Sequence, residues 1–311
     1  MKTNFTLIGV LVLMAISTIS CNLDDGTQQY AYIPTSQEFE SLLSESLDNH
    51  TQTATFDAGT TFTFTSEKGV KLTINGNCLK NNGVAVTGNV DLEFIELFDR
   101  GSMLVTNKPT MGVQDGENRL LTSGGEFYVN ATQNGEQLTL DCYMTLTVPT
   151  SLTGGTDNDM LPFNGSINAD GELIWEQSTS TDFWIGTSQA VGSVAYNALY
   201  NNFGWFNCDR FINYTGPKTT ITALVPQGYG NGNSFIFQAS PDFPNSLGKV
   251  YGEFPVGLES YFIFVTEENG LFRYAIKPSE PLEAGHTVTF TLAETTLGTE
   301  AELTGVINAL P

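Results

Sequence analysis

From residue 51 onward, apolar and polar positions alternate with a period of two. In GNVDLEFIEL, Val90, Leu92 and Phe94 fall on one side while Asp91 and Glu93 fall on the other, the pattern of a strand with one buried face. TTFTFTS and VKLTING repeat it. GGEFYVNATQNGEQLTL carries the alternation through Phe127, Val129 and Ala131, breaks at Asn134-Gly135 and resumes at Leu138 and Leu140. Asn-Gly accepts the positive φ of a tight hairpin turn, so antiparallel strands are predicted there, and CYMTLTVPT closes a first β unit near residue 150. Further on, NADG turns a hairpin between Asn164 and Glu176, and TTITALVP, NSFIFQAS, ESYFIFVTEENGLFRYAIK and HTVTFTLAET make a second β unit.

Two segments keep a helical period instead. Thr35 with Glu38 precedes Phe39, Leu42, Leu43 and Leu47, and Thr299 with Glu302 precedes Leu303, Val306, Ile307 and Leu310. Each combines a capping box with an apolar stripe. The fold class that follows is all-β, with two β-sandwich-like domains and short N-terminal and C-terminal helices. A chain of 311 residues suits about two domains. The boundaries read as a signal peptide over 1–20, a tether and short helix over 21–50, and a first sandwich over 51–150. A connecting hairpin and aromatic-rich linker over 151–215 then leads to a second sandwich with the C-terminal helix over 216–311.

The first residues depart from both patterns. Lys2 is followed by an apolar run from Phe5 to Ile19, then Ser20 and Cys21, too short a run for a permanent membrane span. The segment resembles a bacterial lipoprotein signal, which implies that Cys21 is lipidated and becomes the mature N-terminus. Several acyl chains would hold the protein at a membrane, since each buried CH2 contributes about 0.8 kcal/mol. Asp24 and Asp25 resemble the acidic signal that sends Bacteroidota lipoproteins to the outer face of the outer membrane.

Composition narrows the partners. There are 34 acidic against 12 basic residues, a formal net charge of -22, and no Lys/Arg cluster that could release counterions from a phosphate backbone. No nucleic acid partner is expected. Together with the N-terminal segment, VTNKPTM, SGGEFYVNATQNG and GWFNCDRF resemble a family of uncharacterised lipoproteins of the Bacteroidota, over most of the chain from about residue 55. The resemblance implies an address and an architecture, and carries no reaction with it.

Candidate chemistry is sparse. In GWFNCDRF, Cys208 adjoins Asp209 and Arg210, but a catalytic thiol needs a base, and the only histidines are His50 and His286. The stretch reads as a structural corner. Cys78, Cys142 and Cys208 allow one disulfide with three pairings open, and match no compact zinc spacing. TDNDM and INADGELIWE offer oxygen ligands, yet the calcium-loop pattern fails because Gln177 stands where a Glu is required. No metal or cofactor is expected. Trp184, Tyr200 and Trp205 form the candidate ligand-binding set, since sugar faces stack on exposed aromatics. The sequence therefore predicts a noncatalytic, membrane-anchored interaction or structural module with a protein partner. A glycan-binding surface protein and a hydrolase are the alternatives.

Overall fold

The computed structural model describes residues 32–169 and 171–311. The signal segment, Cys21, Asp24 and Asp25 lie outside the described residues. Alternation becomes strands β1 (Thr51–Asp57), β2 (Thr61–Thr65), β3 (Lys71–Asn75), β4 (Asn89–Leu97), β5 (Met111–Gln114) and β6 (Glu117–Gln133). Then follow β7 (Met144–Pro149), β8 (Leu161–Ile167), β9 (Leu173–Gln177), β10 (Asp182–Ser188), β11 (Ser193–Tyr200) and β12 (Gly204–Phe211). The last third adds β13 (Ser234–Ala239), β14 (Gly248–Lys249), β15 (Glu259–Glu268), β16 (Leu271–Ile276) and β17 (Thr296–Gly298). Helices α1 (Ser36–Asn49), α2 (Arg100–Val105) and α3 (Glu300–Asn308) complete the frame, so the fold is all-β with helices at both ends.

The first sheet runs β1-β4-β6-β12-β8-β9-β5, and β5 pairs back onto β6, so part of it closes into a ring. The long β6 makes this possible by pairing with β5 at its start, β12 in its middle and β4 toward its end. A second sheet, β10-β11-β7-β3-β2, covers one face of the first. Phe94, Phe127 and Phe206 from one sheet meet Leu72, Leu146, Tyr196 and Tyr200 from the other, all essentially solvent-free. This is a two-layer sandwich core. A third sheet, β14-β13-β15-β16-β17, packs on the rest through the helices and through Met111 and Leu120 of the first sheet, which cluster with Ile236, Phe262 and Phe264. Phe39 and Leu42 of α1, Met103 and Leu104 of α2, and Leu303 and Ile307 of α3 pack with Ile95, Leu97, Phe237, Ile263 and Val265.

Residues 33–311 form one compact unit. The 151–215 segment, expected as a connector, instead supplies β8, β9 and β12 to the first sheet and β10 and β11 to the second. The reason is ring closure: Leu121, Phe163, Leu173 and Trp175 make a small core inside the ring that only this segment can complete. Both capping boxes form, with Thr35 Oγ1 and Thr299 Oγ1 accepting from the amides of Glu38 and Glu302 at 3.2 and 3.3 Å. Val306, expected on the buried stripe of α3, is 40% exposed, because Leu303 and Ile307 alone face the core. Helix α2 was not expected. Asp99 caps it through the Ser102 amide at 2.8 Å, and it packs so closely on α3 that a Cβ at Gly101 would sit 2.6 Å from Thr304 O. The pairing of cysteines is Cys78 with Cys142, 5.7 Å apart at Cα, and Cys208 stays a buried thiol.

Candidate functional site

The two motifs SGGEFYVN and GWFNCDRF turn out to be partners. Gly204 pairs with Val129, Phe206 with Phe127 and Asn207 with Glu126, then the register slips so that Asp209 faces Ser123. The slip is a β-bulge, and it turns Cys208 into the sandwich core. Gly124 is demanded by the close approach, since a Cβ there would lie 2.2 Å from Cys208 O. Asp209 accepts from the Gly124 amide at 3.1 Å and from Asn207 Nδ2 at 2.7 Å, tying the bulge together. Burial and then the neighbouring Asp209 carboxyl push the Cys208 thiol far above its ordinary range, so it stays protonated. Arg210 reaches away to Asp157 at 2.7 Å. The histidines are engaged elsewhere, His50 with Ser46 O at 2.8 Å and His286 with Glu280 at 3.3 Å. The cluster holds structure and presents no nucleophile.

Some buried polar atoms in this region find no hydrogen-bond partner among the described residues, Asn207 Oδ1 and Tyr200 OH among them, and Glu126 carries the largest such group. Glu126 is fully buried, and neither carboxylate oxygen has a hydrogen-bond partner among the described residues. Burial, reinforced by repulsion from Asp209 and opposed by Lys108, raises its pKa well above the carboxylate range. Trp175, beside it in the ring, donates Nε1 to Pro109 O at 3.1 Å.

The aromatic set is dispersed. Tyr200 is only 1% exposed and packs tilted against Phe206 with ring centroids 4.0 Å apart, so it belongs to the core rather than to a ligand surface. Trp184 is 48% exposed on edge strand β10, on the outer face of the second sheet. Trp205 lies on the outer face of the first sheet, against Tyr128 at 5.1 Å and below Lys108 at 5.4 Å. Trp184 and Trp205 therefore lie on opposite sides of the sandwich, and Trp205 is half-buried against Trp175 at 6.4 Å. Trp205 and Tyr128 do line a cleft of about 360 Å3, whose rim carries Asp48 and Glu93.

A roomier opening lies elsewhere. A cleft of about 680 Å3 is lined by Asn118, Asn231, Ser234, Phe235, Tyr251 and Lys249. At its floor, Lys249 is 4% exposed and its Nζ lies 2.7 and 2.6 Å from the two oxygens of Glu172 and 3.0 Å from Asn107 Oδ1. The ring of Phe235 sits 3.3 Å from the same nitrogen. Burial lowers the pKa of Lys249 to about 8, partly offset by Glu172. Sequence reasoning missed these residues. Glu172 stood in a predicted turn and Asn107 in VTNKPTM, 77 and 142 positions from Lys249, with no local pattern to join them. Comparison with protein-family models and with curated proteins finds no match to this chain.

Proposed function

We propose that this chain is a noncatalytic envelope lipoprotein, held at the outer membrane through acylated Cys21, whose folded body acts as an interaction or structural module. One contrast carries the reading. The side chains with catalytic potential at the bulge are locked into structural roles, while a roomy cleft elsewhere has polar lining and a buried lysine–glutamate ion pair at its floor. Such a cleft favours recognition of a polar partner over bond-making chemistry. The likeness of the N-terminal segment to lipoprotein signals supports the address.

A glycan is the second reading, and the lining of the cleft favours it. The amides of Asn118 and Asn231 and the hydroxyl of Ser234 can meet sugar hydroxyls beside the rings of Phe235 and Tyr251. Calorimetry of the mature protein against a broad polysaccharide panel tests this, with heat expected for the native chain and lost in Asn231→Ala and Tyr251→Ala. No heat from any polysaccharide leaves a protein as the partner. Intact mass spectrometry of the membrane-extracted protein tests the anchor, and an unacylated mature terminus would refute it.

A further inference from the structure

The geometry points to an intramolecular isopeptide bond between Lys249 and Asn107, formed by the folded protein itself with Glu172 moving the protons. The inference goes beyond the binding role above and stands whether or not the cleft holds a ligand. The three side chains converge from β14, from the loop between α2 and β5, and from the hairpin between β8 and β9. Lys249 Nζ donates to Asn107 Oδ1 at 3.0 Å, on the carboxamide whose Cγ it would attack, while both Glu172 oxygens lie within 2.7 Å of Nζ. Reacting groups held at such a distance need no further diffusion.

The fold fixes this meeting at each corner. Thr110, three residues after Asn107, donates from its amide and its hydroxyl to Leu247 O at 2.9 and 3.1 Å, and accepts from Leu247 N at 2.9 Å. The Asn107 loop is thereby bonded to the segment that carries Lys249. Asn107 itself sits at φ 52, in the left-handed region, as the chain turns out of α2. Glu172 is positioned by Asn168, whose Oδ1 accepts from the Glu172 amide at 2.9 Å. Phe235 and Phe237 lie 3.3 and 5.7 Å from the amine, and Lys249 is only 4% exposed to the cleft. In such surroundings the amine gives up its proton more readily than an exposed lysine does. The lowered pKa of Lys249 agrees with that.

The chemistry balances without any oxidant or co-reactant. Lys249 passes one proton to Glu172, and the freed lone pair of Nζ attacks Cγ of Asn107. The Nζ–Cγ bond forms and the Cγ–Nδ2 bond breaks. Glu172 delivers its proton to the departing nitrogen, which leaves as ammonia, and takes up the second proton of Nζ, so that a secondary amide remains. The open cleft that Lys249 and Glu172 line is the exit for ammonia. The product would tie positions 142 residues apart, joining the first sheet's loops to the third sheet. Such a bond resists reduction, which a disulfide does not.

Peptide mapping of the full mature chain, extracted from membranes and reduced, tests the proposal. The expected result is a branched peptide joining the Asn107 and Lys249 segments, lighter by one ammonia than its two linear parts. Lys249→Arg, Asn107→Ala and Glu172→Gln should each yield only linear peptides. Recovery of the native Lys249 peptide unbranched, with a free ε-amine, overturns the bond. Should Asn107→Ala fail to fold, the native map still decides. Glu172→Gln that shows native near-ultraviolet circular dichroism and remains cross-linked to the native extent overturns the part given to Glu172.

Discussion

Replacing Glu126 by Gln should change the pH dependence of stability in a defined direction. Glu126 is completely buried, its oxygens lack hydrogen-bond partners among the described residues, and its folded pKa is raised well above the ordinary value of 4.5. A raised acid contributes stability that is complete below the unfolded pKa and is lost as pH rises toward the folded one, because only the unfolded chain releases the proton. Each pH unit in that window costs about 1.4 kcal/mol. Between pH 5 and pH 7 the native chain should lose stability through this residue, by at most about 3 kcal/mol over the two units, and Glu126→Gln should lose none of it. The titratable groups facing Glu126 include Asp209 and Tyr251, both raised by burial, and Lys108, lowered by burial. All three remain in the variant. The amide has its own cost, about 1 to 3 kcal/mol for an unpaired buried polar group, but that cost does not vary with pH. Urea unfolding followed by tryptophan fluorescence at pH 5, 6 and 7 gives the difference curve. Parallel curves for native and variant would mean that Glu126 is ionised in the fold, and the reasoning would fail.

Two further outcomes follow from the packing. Loop-closure entropy across the 64-residue separation of Cys78 and Cys142 predicts that Cys78→Ser/Cys142→Ser lowers stability by about 4 kcal/mol, measurable by urea unfolding. A loss below about 1 kcal/mol would show that the bridge does not constrain the unfolded chain. Gly124→Ala should cost about 3 kcal/mol in thermal or urea unfolding, since the added methyl meets the Cys208 backbone oxygen, which cannot move without opening the bulge. An unchanged midpoint would show that β6 and β12 can separate there freely.

Much of the architecture was legible locally. Val90, Leu92 and Phe94 are buried as their alternation required, Asn134 and Asn269 take φ 53 in their hairpin turns, and both capping boxes form. These features depend on neighbours in the chain, where periodicity and turn chemistry act. The same alternation could not say what would cover the second face of a strand. At the end of β4, Ile95, Glu96 and Leu97 are buried beside the first three. The helices and the third sheet lie over Ile95 and Leu97, whereas Gln52, Ser66 and Lys68 bond to Glu96.

What the amino-acid order determined by itself was therefore the period of each segment, its turns and caps, and the all-β class. Only the tertiary structure decided that the expected linker would close the ring, that Tyr200 would be core, and that Cys78 would pair with Cys142. It also decided the meeting of Asn107, Glu172 and Lys249. The physical reason is one of range. A side chain's polarity tells which face it prefers, whereas its partner and its protonation depend on which distant atoms displace water from around it.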